Sequence, residues 1–322
     1  MSEALTRAEA IAEEVLFPQA MEIDRSPVVP RRYLDELAAA GLYDLTGEPQ
    51  EAAQIIETLG GASLVTAFVW IQHHSPVRAV AAAGGDVARS WLGPLRSGQI
   101  RAGIAYAALR RPGPPSAVAS AAPGGGYRLS GRAPWVTGWG LINVVLAGAR
   151  CGEDIVWLLL DAVPAPEDGF RAVPVELATL QASSTYELRW DDFEVPAERV
   201  IGREPFAEWR LRDAAGRATN GYLSIGVAAR CARLLESPAL MADADRSRQS
   251  LLRSTPDTVV EARAASSLIA VRAATALVAA GGGRSVEASS HAARLMREAT
   301  FLLVFGQSPD IKRAQLESLL GG

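Results

Sequence analysis

Cysteine and histidine, which supply much of metal and redox chemistry, are scarce in this chain of 322 residues. It contains 2 cysteines, Cys151 and Cys231, which are far apart, and 3 histidines. Neither type shows the spacing of a zinc site or a disulfide framework. His73 and His74 are adjacent, and adjacent side chains on a helix point about 100° apart, so a polar helix end is their expected role. The sequence therefore predicts no metal site and favours a reducing compartment, the cytoplasm.

Lysine is scarcer still, since Lys312 is the one lysine among 32 Lys and Arg residues, against 36 Asp and Glu. The net charge of −4 and the pI near 5.6 argue against a nucleic-acid-binding surface, which needs a concentrated excess of cations. We find no signal-peptide pattern and no uninterrupted apolar run that approaches the roughly 20 residues of a membrane span. We therefore expect neither nucleic acid nor a membrane as a partner.

Two common catalytic signatures are missing as well. No serine lies in a G-x-S-x-G elbow, so nucleophilic hydrolysis has no support. The glycine cluster Gly124–Gly126 lacks the following helix and the Lys-Ser/Thr pair of a phosphate-binding loop. Because this cluster precedes a strand pattern, it predicts a hairpin turn.

The residues that are present change their pattern twice along the chain. Residues 1–99 show helical periodicity, as in PRRYLDELAAAGLYDL, where Gly41 is placed to end a helix. Residues 100–203 contain seven short runs rich in Val, Ile, Tyr and Trp, which predict an antiparallel β-barrel or sandwich. Residues 204–322 are helical again, with small residues that allow close helix packing. The predicted fold class is α+β, mainly α, with an N-terminal helical domain, a central β-domain and a C-terminal helical bundle.

Six short motifs occur in order along most of the chain. They are PRRYLDELAAAGLYDL, GGDVARSWLGPLRSGQI, GYRLSGRAPWVTG, FEVPAERVIG, GGGRSV and LMREATFLLVFGQSPDIKR. Together with the order of segments, they resemble the acyl-CoA dehydrogenase family, although the C-terminal bundle is shorter than the family norm, with the gap near residues 236–258. The resemblance implies an FAD-dependent oxidoreductase that oxidises the α,β bond of an acyl thioester by hydride transfer to the flavin.

The resemblance places the flavin against the GYRLSGRAPWVTG stretch. Trp135 would pack by the isoalloxazine ring, while Val136 and Thr137 would lie along its N5/O4 edge. These residue types suit the cofactor because a flat, polarizable ring favours an aromatic wall and a hydride-accepting nitrogen favours a fixed donor. Trp139, by contrast, is expected to cover the sheet.

Further contacts fall where the sequence departs from the family pattern. The family's Leu-Thr-Glu-Pro appears here as LRRP, which puts Arg110 and Arg111 where a small hydroxyl and a carboxylate are expected. The resemblance assigns Tyr106, Leu109 and Arg110 to the cofactor site. Ser116 is the nearest hydroxyl for the pantetheine or phosphate of the thioester.

The proton-abstracting base is the largest departure. A dehydrogenase of this type needs a carboxylate over the substrate to remove the α proton, with its pKa raised toward neutrality. Both positions that carry this glutamate in the family are glycine here, Gly306 and Gly216. Glycine cannot move a proton.

Two nearby carboxylates are the alternative bases, each with a more ordinary role. Glu298 is expected to pair with Arg294 or Arg297 on a solvated helix surface. Asp310 precedes the last helix, where its side chain is expected to serve as the N-cap.

The family's arginine element that reaches the flavin pyrophosphate across a subunit interface is not recognisable, and Arg246 or Arg248 would have to replace it. FAD would then be bound by this chain alone or only with a partner. The expected assemblies are a homo-oligomer, dimer or tetramer, or a hetero-oligomer with a second acyl-CoA dehydrogenase-like chain that supplies the missing base.

Two other functions remain open. A flavin-dependent monooxygenase or oxidase on the same scaffold needs no glutamate base, and Arg110 and Arg111 could stabilise an anionic reduced ring. A non-catalytic homologue with a structural or thioester-binding role would explain the loss of both base positions as one relaxed pattern.

Overall fold

The computed structural model describes residues 2–162 and 168–321. A run of helices is followed by a run of strands and then by helices again, which confirms the predicted α+β, mainly α class. The helices are α1 Glu3–Ala10, α2 Phe17–Arg25, α3 Arg31–Ala39, α4 Pro49–Ala62, α5 Leu64–Ile71, α6 His74–Ala83, α7 Gly85–Arg96, α8 Phe206–Ala215, α9 Gly221–Leu234, α10 Pro238–Leu252, α11 Val259–Gly281, α12 His291–Val304 and α13 Pro309–Leu320, with a π-helical segment Ile11–Leu16 between α1 and α2.

The strands form one sheet. They are β1 Ala102–Ala105, β2 Ala117–Ala121, β3 Tyr127–Val136, β4 Val144–Cys151, β5 Asp154–Asp161, β6 Phe170–Pro174, β7 Tyr186–Val195 and β8 Val200–Pro205. Their order is β6-β7-β3-β2-β4-β5-β8, with β1 also paired to β4.

This sheet corrects the sequence-based prediction in two respects. It is not fully antiparallel, because β1 pairs with β4 in parallel and β2 meets β4 in parallel at Val118 and Arg150. The β2–β3 hairpin intervenes in sequence between β1 and β4, and such a crossover permits parallel pairing. The sheet also has an eighth strand, β8, which the prediction missed because an edge strand with Gly202 and a terminal Pro205 lacks clear alternation.

Two turns were predicted correctly. Gly41 takes a φ of +73° just after α3, the left-handed conformation that ends a helix. The Gly124–Gly126 cluster connects β2 to β3, which pair in antiparallel fashion. These glycines therefore form a hairpin connection.

The helices before and after the sheet share one hydrophobic core. It contains, among others, Leu59 of α4, Trp70 of α5, Ile225 of α9 and Leu295 of α12. The sheet has its own core, with Leu129, Leu158 and Trp190 among its buried residues.

Glycine brings α4 and α9 into backbone contact at the centre of the helical core. A Cβ at Gly61 would lie 2.6 Å from the carbonyl oxygen of Gly226, and a Cβ at Gly226 would lie 2.2 Å from the carbonyl oxygen of Glu57. The expected close approach of helices through small residues is confirmed at this crossing.

His73 connects the helices to the sheet. Its Nε2 lies 3.0 Å from the carbonyl oxygen of Leu95, and its Nδ1 accepts a hydrogen bond from the Ala102 N–H at the start of β1. Burial lowers the pKa of His73 to about 4, so the ring is neutral at physiological pH. His74 is also buried, against Trp70. Both residues do lie at a helix end, since His73 precedes α6 and His74 opens it, but both rings pack inside the protein, which was not expected.

The segment Val259–Val286 is long and apolar enough to cross a membrane by length and composition, contrary to the sequence-based expectation. It carries the buried Arg263, which donates to the carbonyl oxygen of Phe305, and it packs against α9 and α12. One such helix is weak evidence for a membrane span, because a core helix passes the same test.

Candidate functional site

Trp135 is displayed by an irregularity in β3. Ala133 pairs with Leu188 and Val136 pairs with Tyr186, so Pro134 and Trp135 together face a single residue of β7. This arrangement is a β-bulge, which tolerates a proline without an N–H and redirects a side chain. Trp135 has a φ of +65° and an indole that is 47% exposed. A bulky residue in this left-handed region is strained, and such strain concentrates at functional sites.

A second strained segment is hydrogen-bonded to the residues that follow Trp135. Leu180 and Ser184, at the two ends of a short 3₁₀ turn, have φ values of +54° and +49°. The carbonyl oxygen of Ser183 accepts from the Gly138 N–H at 2.8 Å, and that of Ser184 accepts from the Trp139 N–H at 2.9 Å. Three of the five left-handed non-glycine residues in the described chain thus belong to two segments that are joined by backbone hydrogen bonds.

Three buried hydroxyl groups lie between these two segments. The Oγ of Ser183 is 2.9 Å from the Oγ1 of Thr185, and Thr185 Oγ1 is 3.5 Å from the Oγ1 of Thr137. Thr137 is 2% exposed. We call Ser183, Thr185 and Thr137 the hydroxyl chain.

The neighbours of Trp135 in sequence are packed differently. Val136 is fully buried in the core of the sheet. Trp139 is buried beside Phe170 and Tyr186, with ring centroids 6.0 and 5.9 Å away, which confirms its packing role. Of these three side chains, only the Trp135 indole is exposed enough to contact a ligand.

The two glycines at the expected base positions lie in segments that meet. Gly216 ends α8 and opens a 3₁₀ turn that finishes at Asn220. Gly306, with a φ of +62°, faces Asn220 so closely that a Cβ there would lie 2.4 Å from the Asn220 Nδ2. At Gly216, whose φ is −79°, a Cβ would meet nothing within 4 Å. Asn220 therefore fills the volume that a side chain at 306 would take, while the space at 216 is open.

Aromatic rings border this meeting point. Phe305, which precedes Gly306, stacks on Phe301 at 5.6 Å, and both rings meet Phe68 of α5 edge-on at 4.8 to 5.0 Å. Phe301 and Phe305 are partly exposed, so these rings offer an apolar surface next to Gly306.

Searches by sequence give no match to a family model and none to a curated protein. Solved structures match over nearly the whole chain. Butyryl-CoA dehydrogenase from Megasphaera elsdenii superposes with a TM-score of 0.83 at 18% identity, over 98% of this chain and 97% of that chain. A putative acyl-CoA dehydrogenase from Mycobacterium smegmatis gives 0.82 at 20% identity, over 98% and 96%. The chain has the acyl-CoA dehydrogenase fold.

A third structure with this fold was solved with a bound flavin. It is a glutaryl-CoA dehydrogenase from Mycobacterium smegmatis in complex with FADH2, which matches with a TM-score of 0.78 at 15% identity, over 99% of this chain and 94% of that chain. At such identities, the likeness shows that the fold is shared. The activity of this chain has to be argued from its own residues.

The other residues that the acyl-CoA dehydrogenase resemblance assigns to the site are used within the protein. Tyr106 and Leu109 are buried in a satellite cluster with Trp209, and the Tyr106 ring meets Trp157 edge-on at 5.2 Å. Ser116, which is half-buried, accepts a hydrogen bond through its backbone carbonyl oxygen from the Arg132 N–H. The short 3₁₀ turn that carries Leu109 and Arg110 nevertheless lies against β3, the strand that displays Trp135.

The positive charge of Arg110 is balanced by a carboxylate of the same chain. Its Nε lies 2.9 Å from Oδ2 of Asp213 and its Nη2 lies 2.7 Å from Oδ1. This bidentate ion pair joins the turn that follows β1 to helix α8. Burial opposes the charged form, but the pair with Asp213 raises the pKa of Arg110 above its usual value. Arg110 is therefore charged and already paired.

The two candidates for a pyrophosphate-binding arginine are paired too. Arg248 forms a bidentate pair with Glu57, with Nε–Oε2 at 2.7 Å, and also contacts Asp245. Its hydrogen bonds to Glu57 raise the pKa of Arg248. Arg246 pairs with Asp243.

Both alternative bases differ from their expected environments. Glu298 does pair with Arg294, but the pair is buried inside the helical core rather than on a surface, with side chains 3% and 1% exposed. Burial raises the pKa of the Glu298 carboxyl, which is enclosed in the helical core and hydrogen-bonded to Arg294. Asp310 is not the N-cap of α13, because the Ser308 side chain accepts from the Ile311 N–H; Asp310 pairs with Arg313.

Ser183, Thr185 and Asn220 are site residues that the sequence analysis did not single out. The run ASSTY at 182–186 concentrates three hydroxyl residues just before β7, which was an available signal. Asn220 gave no signal, because its contact with Gly306 joins positions 86 residues apart. Within residues 2–162 and 168–321, no group of three or more His, Cys, Asp or Glu side chains could hold a metal ion.

Proposed function

We propose that this chain is a flavin-binding subunit of acyl-CoA dehydrogenase type, which acts on an acyl thioester with a second chain that supplies the base. The observation that carries the proposal is Trp135, a strained and exposed indole on a bulge of an otherwise well-packed sheet. A left-handed conformation of this kind costs roughly 1–3 kcal/mol, and residues strained in this way cluster at ligand-binding sites.

The residues around Trp135 fit the ring end of a flavin. The indole offers an apolar wall. Thr137, two residues along, offers a hydroxyl whose only hydrogen-bond partner among the described residues is the Thr185 hydroxyl, at 3.5 Å. When bound, the flavin supplies the hydride acceptor of the dehydrogenation. Trp135 would fix the plane of the ring, and Thr137 would hold a donor at its polar edge.

The base has to come from elsewhere. Gly216 and Gly306 cannot take a proton, and Asn220, which occupies the space at 306, has no acidic group. Glu298 is locked with Arg294, and Asp310 lies on the surface with Arg313. A carboxylate from a partner would complete the site without displacing any of these pairs.

Two further features support a partner chain. The arginines proposed for the pyrophosphate are paired within the chain, so the dinucleotide end of FAD would rely on another subunit. Apolar side chains near the C-terminus are also exposed, and exposed apolar residues on neighbouring elements are a feature of protein interfaces. They include Val304, Leu316, Leu319 and Leu320, which are 62%, 44%, 56% and 81% exposed.

The first prediction concerns flavin retention. Trp135→Ala should weaken flavin binding by about tenfold or more, because it removes the aromatic wall of the ring, an effect of at least about 1.4 kcal/mol. The visible absorption spectrum of the purified protein, alone and after copurification with an acyl-CoA dehydrogenase-like partner, measures the flavin per chain.

Trp91→Ala provides the matched control. Trp91 is a partly buried tryptophan of α7 beneath Arg199 and should leave the flavin content unchanged. Equal flavin retention in wild type and Trp135→Ala would contradict the placement of the ring against this indole.

The second prediction concerns the missing base. Gly216→Glu should fold, since its Cβ meets nothing within 4 Å, and it should give the flavin-loaded protein a faster bleaching of the flavin by acyl-CoA, by about 10²-fold if the carboxylate reaches the α carbon. Stopped-flow absorbance with butyryl-CoA measures this rate.

Gly216→Gln is the control, because it has the same size without a basic oxygen. Gly306→Glu should not give the same gain, since a φ of +62° and the Asn220 amide oppose any side chain there. If Gly216→Glu and Gly216→Gln bleach at the same rate while acyl-CoA still binds, position 216 does not face the substrate.

A non-catalytic role is the second candidate, and it also rests on a specific observation. Arg110, Arg246 and Arg248 are all paired with carboxylates of the same chain, as expected if cofactor contacts had been replaced by internal ones. The pairing of Arg110 also removes one of the two charges on which flavin oxygen chemistry was to depend, while the other, Arg111, is exposed to solvent. A protein that stays colourless with and without a partner would favour this second role.

A further inference from the structure

The hydroxyl chain has a free proton at one end. Ser183, Thr185 and Thr137 are 0%, 5% and 2% exposed, so all three side chains lie almost wholly inside the protein. Each hydroxyl carries one proton and can accept from others. Among the described residues, Thr185 is the one hydrogen-bond partner of the Ser183 Oγ and also of the Thr137 Oγ1.

The geometry is asymmetric along this chain. The contact between Ser183 and Thr185, at 2.9 Å, is an ordinary hydroxyl hydrogen bond, whereas the one between Thr185 and Thr137, at 3.5 Å, is long. Thr137 Oγ1 therefore keeps most of its hydrogen-bonding capacity. It is also the end of the chain that adjoins Trp135, two residues away on the bulge.

We propose that Ser183 and Thr185 are positioning residues that turn the Thr137 hydroxyl outward as a donor to the ring bound against Trp135. Ser183 donates to Thr185, Thr185 donates to Thr137, and Thr137 gives its proton to an acceptor of the ligand. The 3.5 Å contact shortens in the complex, since hydrogen bonds of unliganded sites are often long. Successive hydroxyls polarise one another, which makes the terminal donor stronger.

The backbone holds the chain in this arrangement. The strained turn between Leu180 and Ser184 is tied to the Trp135 segment by the Gly138 and Trp139 N–H groups and by the Ser184 hydroxyl, which donates to the carbonyl oxygen of Trp139 at 2.8 Å. Two loops that are far apart in sequence are thus fixed against each other. The inference rests on the proposed flavin site and adds two residues to it.

The test uses the flavin itself as the probe. In the flavin-loaded protein, Thr185→Val should change the equilibrium constant for two-electron reduction of the flavin about fivefold toward the oxidised form, a shift of about 20 mV, because the donor at the ring edge weakens. It should also move the visible absorption maxima, with flavin content unchanged. Thr185→Ser, which keeps the hydroxyl, should have the reduction potential and the absorption maxima of the wild type.

Thr66→Val is the matched control, because Thr66 is equally buried and pairs with another hydroxyl, that of Ser63 at 3.0 Å. It should leave the potential and the spectrum unchanged. A flavin-loaded Thr185→Val protein with the wild-type potential and spectrum overturns this inference alone. A wild-type chain that binds no flavin with any partner overturns the proposed function and this inference together.

Discussion

Gly226→Ala is expected to cost at least about 3 kcal/mol of unfolding free energy or to prevent folding altogether. The added methyl group would lie 2.2 Å from the carbonyl oxygen of Glu57 and 2.8 Å from the nitrogen of Gly61. Both are backbone atoms of α4, so no side-chain rotation can make room. The helices would have to separate, and the core that joins the N-terminal and C-terminal helices would lose its closest contact.

Urea unfolding followed by circular dichroism measures this effect. Gly202→Ala serves as the control, because a Cβ at this β8 position meets nothing within 4 Å. It should change stability by less than about 0.5 kcal/mol. A Gly226→Ala protein as stable as Gly202→Ala would show that α4 and α9 do not cross at this distance.

Glu298→Ala is the second substitution with a large expected effect, a loss of about 3–5 kcal/mol. The Arg294 Nη1 lies 2.6 Å from the Glu298 Oε1 in the helical core, with both side chains almost wholly buried. Removal of the carboxylate leaves a buried guanidinium without its ion-pair partner. His291, the next neighbour of Arg294 at 3.4 Å, cannot supply one.

A double variant tests whether the cost comes from the unpaired charge or from lost packing. Arg294→Met with Glu298→Leu replaces the pair by apolar groups and should recover most of the stability lost in Glu298→Ala. Chemical denaturation of the single and double variants measures the coupling. A double variant as unstable as Glu298→Ala would mean that shape, and not charge, dominates at this position.

Much of the architecture could be predicted from the sequence because it depends on local patterns. Alternation of Val, Ile and aromatic residues gave seven of the strands, and Gly41 was recognised as a helix end because a left-handed φ favours glycine. β8 was missed because an edge strand buries too little to require alternation. The parallel contact between β1 and β4 joins segments about 40 residues apart, and no local pattern encodes such a pairing.

Some features of the candidate site could likewise be predicted from local sequence, and others depend on tertiary contacts. Trp135 could be found from the sequence through a motif, yet the bulge that strains and exposes it depends on the register between β3 and β7. Glu298 was expected on a surface, because an i,i+4 charge pair looks the same in sequence whether water or another helix covers it. The contact of Asn220 with Gly306 could not be anticipated at all.

The sequence by itself determined that two positions of this chain cannot act as a base. Glycine at 216 and 306 means that neither position provides a base, whatever the packing around it. The tertiary structure alone decided which polar groups remain available to a ligand. Whether a guanidinium or a hydroxyl is free depends on its neighbours in space. Among the described residues, carboxylates pair with Arg110, Arg246 and Arg248, whereas the Trp135 indole is exposed and the Thr137 hydroxyl has only a long contact with Thr185.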